Sequence, residues 1–172
     1  MIENPYARDL GAREPIGAMA EAIDRIHALA GSWTPAQFER SYGPGKWTAR
    51  QILIHLAQTE LALGNRARMA LATPNYTAQP FDQDAWMQRE SGGSGGTSRA
   101  GGADGASGLV ALEALAALSA LNRAFFQSLS AADRATPFSH PEYGALTVDW
   151  LIHQMAGHQI HHLKQLEEIA TC

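Results

Sequence analysis

The stretch Thr147-Val148-Asp149-Trp150-Leu151-Ile152-His153-Gln154-Met155-Ala156-Gly157-His158-Gln159-Ile160-His161-His162-Leu163-Lys164-Gln165-Leu166 decides how the rest of the chain is read. It has the period of a helix. Thr147 suits the N-cap, and Asp149 in the first turn sits at the positive end of the helix dipole. At about 100° per residue, Leu151, Met155, Leu166 and Ile169 fall on one stripe. His158 and His162 lie on that stripe four residues apart, so their rings stand on one face, a turn from each other. A helical His-x-x-x-His pair supplies two ligands to one metal ion. The competing reading is two core histidines whose ring nitrogens find hydrogen-bond partners. His161 projects about 60° off the edge of the pair and His153 about 140° from His158, which assigns both to the rim or the surface.

Composition bounds the rest. The 172 residues suffice for one domain, 1–172, with one core, and an apolar share of 45% argues against general disorder. A net charge of −4 with no Lys/Arg cluster speaks against a nucleic-acid partner, which needs a basic face. Cys172 is the only cysteine, so no intrachain disulfide forms and a reducing compartment fits. Its place at the chain end makes it a poor nucleophile. Met1 to Leu10 holds no apolar signal core, and no stretch approaches the roughly 18–20 apolar residues of a membrane span. The expectation is a cytoplasmic protein with no membrane partner.

Pro15 to Ala30 has the pattern of a first long helix, with Ile16, Met19, Ile23 and Ile26 at spacings of three and four, stopped by Gly31. His27 falls on its polar side. Thr34-Pro35-Ala36-Gln37 opens a short helical turn with a capping box, and Gly43-Pro44-Gly45 a tight turn, after which Trp47 anchors to the core. A second capping box, Thr48 to Gln51, starts a long helix to about Ala72. Ile52, Leu56, Thr59 and Leu63 mark its inner side, and His55 lies among them. His55 is therefore a third inward histidine, again with a satisfied core histidine as the competing reading. Glu60 is expected to be exposed. Arg66 lies on the His55 side about three turns on, either snorkelling to solvent or meeting an anionic substrate.

Pro80 to Glu90 is a polar connection with one short helix, its Phe81 and Trp86 expected to plug the core. Ser91 to Gly108 carries eight of the chain's 16 glycines and is expected to be flexible: a disordered insertion, a lid or a designed linker. Leu109 to Leu129 is an Ala/Leu-rich core helix with Leu112, Leu115, Leu118 and Leu121 leading into Phe125 and Phe126. Ser130 to Tyr143 is a connection in which His140, before Pro141, is expected at the surface. Trp150 packs at the start of the last helix. No strand is expected. Four long helices with one short one give an all-α, up-down four-helix bundle, where metal sites form between facing helices. A helix spacing of about 8–10 Å lets His55 reach an ion held by His158 and His162.

Three passages resemble a known family. Pro44-Gly45-Lys46-Trp47-Thr48-Ala49-Arg50-Gln51-Ile52-Leu53-Ile54-His55-Leu56 resembles the second-helix signature of the DinB-like, YfiT-like superfamily. Gly157-His158-Gln159-Ile160-His161-His162-Leu163-Lys164-Gln165-Leu166 resembles its last-helix His-x-x-His-His signature, and Pro141 to Thr147 the approach to that helix. Ser91 to Gly108 departs from the pattern. The resemblance implies a bundle, commonly dimeric, with a divalent metal, often nickel or zinc, on three histidines that fall here on His55, His158 and His162. It implies a metal-dependent enzyme that activates a low-molecular-weight thiol or water against a small-molecule electrophile, as an S-transferase or a hydrolase. No catalytic acid or base stands out. The alternative is a non-catalytic metal-binding or scaffold bundle, engineered in the 91–108 loop.

Overall fold

The computed structural model describes residues 3–90 and 107–171. The expected flexible stretch lies outside them, apart from Ser107 and Gly108. In order, α1 (Ala7–Leu10), α2 (Pro15–Ala30), α3 (Pro35–Phe38), α4 (Ala49–Ala72), α5 (Gln83–Glu90), α6 (Gly108–Ser128) and α7 (Ala131–Arg134) precede a hairpin of β1 (Pro137–His140) and β2 (Gly144–Thr147); α8 (Val148–Ala170) follows it. The fold is the expected all-α four-helix bundle, built from α2, α4, α6 and α8.

Local sequence starts each long helix. The Glu14 carboxylate accepts from the Ile16 and Gly17 amides at the head of α2, with Pro15 in its first turn. Both bonds of the Thr48–Gln51 capping box form at the head of α4. Thr147 Oγ1 accepts from the Trp150 amide and starts α8.

Packing then decides which faces meet. α2 packs against α6 and α8, and α4 packs against the same two, so α2 and α4 occupy opposite corners. Met19, Ile26, Ile52, Leu53, Leu56, Leu112, Leu115, Phe126, Leu151, Ile152 and Leu166 fill the space between them and are fully buried. The contact between α4 and α8 is the one that matters for the site, because it turns the His55 face toward the His158–His162 face.

Four expectations need correction. Two four-residue strands exist, antiparallel, with Phe138 opposite Leu146 and both buried. They are too short for alternation to register, and their edge bonds to the chain after α4: Ala78 N–H donates to Ser139 O at 2.8 Å and Ser139 N–H to Tyr76 O at 3.0 Å. Leu121 in α6 is exposed, as is Leu109, because that helix presents only one stripe to the bundle. α6 is also long and apolar enough to cross a membrane by length and composition, with a mean hydropathy of 1.5. Its Ala/Leu content raises the average, while Leu112, Leu115 and Phe126 bury against its neighbours and Asn122 bonds across to α4. Lastly, Glu60 is buried rather than exposed. With α6 on one side and α8 on the other, α4 has a wide inner arc, and Glu60 falls within it.

Candidate metal centre

His55 from the second turn of α4 and His158 and His162 from the middle of α8 converge. His158 Nε2 lies 3.0 Å from His55 Nε2 and 3.0 Å from His162 Nε2. All three residues are buried. Desolvation is the chief reason that none of them carries charge at neutral pH. It pulls His55 down to about 3, assisted by the nearby His162, and His162 to about 4, while His158 falls well below its ordinary value.

A neutral imidazole has one proton, and here its position can be worked out. The His162 Nδ1–H donates to Gln165 Oε1 at 2.7 Å, which leaves the Nε2 lone pair facing the other two rings. The single position on His158 Nε2 cannot satisfy two neighbouring nitrogens at once. A shared cation can. Two donors about 2.0–2.1 Å from one ion and 3.0 Å apart, as His158 is from each of the others, subtend roughly 95° at it, and all three ligand atoms lie within 4.8 Å of one another, so the cluster fits one divalent metal with three ligands and an open side.

The surrounding residues brace the rings. Gln165 also donates from Nε2 to Tyr42 Oη and to His161 Nε2, both at 3.3 Å, and His161 Nδ1–H donates to Asp9 at 3.2 Å. His161 thus stands at the rim, as expected, and ties α1 to α8 rather than joining the cluster. His153 bonds the Asp149 carbonyl at 2.9 Å and is likewise no ligand. Trp47, half-buried, packs against the core as expected and also covers the centre, with its ring 4.8 Å from that of His55 and 6.5 Å from that of His162. The Nδ1 of His55 is buried without a hydrogen-bond partner among the described residues.

Tyr6 covers the other flank, its ring 4.9 Å from that of His158. Glycine at 157 makes that approach possible: a Cβ there would lie 2.5 Å from the Tyr6 carbonyl oxygen. Tyr6 and Gln165 were not legible as site residues. Gln165 left a faint signal, a polar side chain one turn after His162, whereas Tyr6 left none.

His55 and His158 form part of the wall of an open cavity of about 530 Å³. Thr59, Leu63, Arg66, Phe81, His140 and Tyr143 also line it. Two of these correct the expectation. His140 is buried, because β1 folds it back beneath the turn, where its Nδ1 accepts from the amides of Glu142 and Tyr143. Phe81 and Trp86 pack edge to face with each other, with Phe81 on the cavity and Trp86 exposed; Met87 is the buried residue of α5.

Three neutral imidazoles held between facing helices of a bundle, two of them lining a cavity, are a ligand set that could hold one metal ion. The sequence matches the DinB superfamily over residues 18–166, and the chain belongs to that superfamily. It is similar to the Oceanobacillus iheyensis protein named "Putative metal-dependent hydrolase OB0782", with 26% identity over 77% of this chain and 70% of that one. It is 32% identical to the Bacillus pumilus protein named "Putative metal-dependent hydrolase" over 48% of this chain and 46% of that one. Among solved structures it is similar to YfiT from Bacillus subtilis, described as "a probable metal-dependent hydrolase with an unusual four-helix bundle topology". The TM-score there is 0.75 at 20% identity, over 99% of this chain and 89% of that one.

Proposed function

We propose that this chain is a metal-dependent enzyme in which His55, His158 and His162 hold one divalent cation, zinc or nickel, beside the substrate cavity. The observation that carries this is the convergence of three neutral imidazoles next to an open cavity, with His158 Nε2 3.0 Å from both of the other Nε2 atoms and all three ligand atoms within 4.8 Å of one another. A cation held there supplies Lewis acidity, which lowers the pKa of a water or a low-molecular-weight thiol and so provides a nucleophile at neutral pH. The chain's residues set the conditions for that chemistry. Gln165 holds the His162 tautomer and ring orientation, the part that outer partners play at such centres. Trp47 and Tyr6 shield the rings from solvent. The cavity is large enough to seat a small electrophile beside the nucleophile, giving hydrolysis with water and S-transfer with a thiol.

Elemental analysis of the purified protein tests this, followed by assay of the metal-loaded protein on an activated ester with and without added thiols. One metal per chain is expected, lost in His158→Ala and His162→Ala, with turnover lost in the same variants. Unchanged metal content in the doubly substituted protein would refute the site.

A further inference from the structure

Arg66 is a buried cation that forms no ion pair among the described residues. It is 8% exposed. Its only hydrogen bond given by the structure runs from Nη2 to the Gln79 carbonyl at 2.7 Å. Among the described residues no carboxylate lies within ion-pairing distance of it. A guanidinium cannot shed its proton to escape this situation, so it stays charged in a place where charges are normally paired. It lines the same cavity as His55 and His158.

Its neighbours narrow the ligand. Tyr76, Tyr143, Glu142 and His140 are titratable groups within electrostatic reach of Arg66. Glu142 and Asp82, both exposed, sit at the cavity rim and oppose a ligand with much negative charge. His140 lines the cavity too; with Nδ1 accepting from two amides, its proton is on Nε2, which adds a donor but no charge. Leu63, Pro80, Phe81 and Pro141 give the wall apolar patches, beside the uncharged polar side chains of Thr59, Gln83 and Gln154. One fixed positive charge, one neutral donor, two rim carboxylates and a wall with apolar patches match a single carboxylate on a short stem better than a phosphate dianion.

We propose that Arg66, with His140 beside it, is the carboxylate-binding subsite of this cavity, and that the substrate is a small electrophile carrying one carboxylate several bonds from its reacting carbon. The second half of this statement rests on the metal-dependent reading; the subsite itself does not. Position supports the spacing. His55 and Arg66 are eleven residues apart on α4, nearly on one stripe and about 16 Å apart along the axis. Helical side chains lean toward the N-terminus, so the guanidinium reaches back toward His55 and leaves a gap on the order of 10 Å. An elongated molecule, not an inorganic anion, bridges it.

The test uses chelator-treated protein, so that no carboxylate binds through a metal. Dissociation constants are measured by NMR titration for hexanoate, hexanamide and inorganic phosphate. Hexanoate is expected to bind wild type about tenfold or more tighter than hexanamide, and Arg66→Gln to lose about tenfold or more of that affinity, the scale of one charge-assisted pair. Arg66→Lys should fall between. Metal content after reloading should be the same in Arg66→Gln and wild type. The proposal is overturned if hexanoate does not saturate, if hexanamide or phosphate binds as tightly, or if Arg66→Gln binds hexanoate like wild type. Should Arg66→Gln fail to fold, the acid–amide comparison on wild type and the Arg66→Lys protein decide. Preference for hexanoate in a protein that takes up no metal leaves the subsite standing and removes the metal-dependent reading; metal uptake without that preference does the reverse.

Discussion

Replacing Glu60 by glutamine should stabilise the protein at high pH, and the structure gives the size of the effect. The carboxylate is buried between α4, α6 and α8, where Asn122 Nδ2 donates to Oε2 at 2.7 Å and Gln159 Nε2 donates to Oε1. Desolvation outweighs both bonds and raises its pKa from 4.5 to about 7. The folded state therefore holds a proton that the unfolded chain gives up near pH 4.5, and stability falls as pH rises from there to about 7. Above that the loss is constant. A gap of about 2.5 units is worth about 3 kcal/mol when fully developed, and about 2.5 kcal/mol separates pH 5 from pH 8. Glutamine has no proton to lose. Its amide group can also donate to Gln159 Oε1, which is buried without a partner. The assay is urea unfolding of metal-free wild type and Glu60→Gln, each at pH 5 and pH 8. The variant should gain about 2.5 kcal/mol on wild type between the two, and contributions common to both proteins cancel. Parallel pH profiles would show that Glu60 is ionised in the folded protein, or exchanges with water, and would refute the reasoning.

Three further outcomes follow from the same geometry. Gln165→Ala frees the His162 ring and should weaken metal affinity by roughly 10- to 100-fold without unfolding the bundle, measured by competition with a chelator. Gly157→Ala sets a Cβ against the Tyr6 backbone and should cost about 1–3 kcal/mol in urea unfolding, with the Tyr6 ring displaced from His158. The depressed pKa values of His55 and His162 mean that the unfolded chain binds more protons than the folded one below about pH 6.5. The metal-free protein should therefore lose stability as pH falls from 6.5 toward 4. The Glu60→Gln background shows this best, because Glu60 acts in the opposite direction over part of that range. A flat profile there would mean the rings are solvated.

What the sequence could and could not disclose divides along one physical line. Helix starts were legible because caps are made within four residues: Thr34 and Thr48 complete their capping boxes, and Thr147 makes its single N-cap bond. The inward stripe of α8 was legible because spacing fixes which side chains share a face. His55 was legible as an inward histidine, but its meeting with His158 depends on α4 packing against α8, which no local pattern states. Failures came where two distant pieces share one surface. Glu60 looks exposed on a wheel drawn for one buried stripe, whereas α4 has neighbours on two sides. His140 looked like a loop residue because a four-residue strand gives too few alternations to detect. Arg66 could have snorkelled, had the chain after α4 not returned over it so that Gln79 accepts from its guanidinium. The same rule orders the site. Residues that would hold the metal come from two helices and follow helical spacing, while those that would recognise a substrate come from α4, the segment after it and the hairpin. A change in substrate can therefore be made in the connections and at Arg66, while the imidazole geometry stays fixed on the bundle.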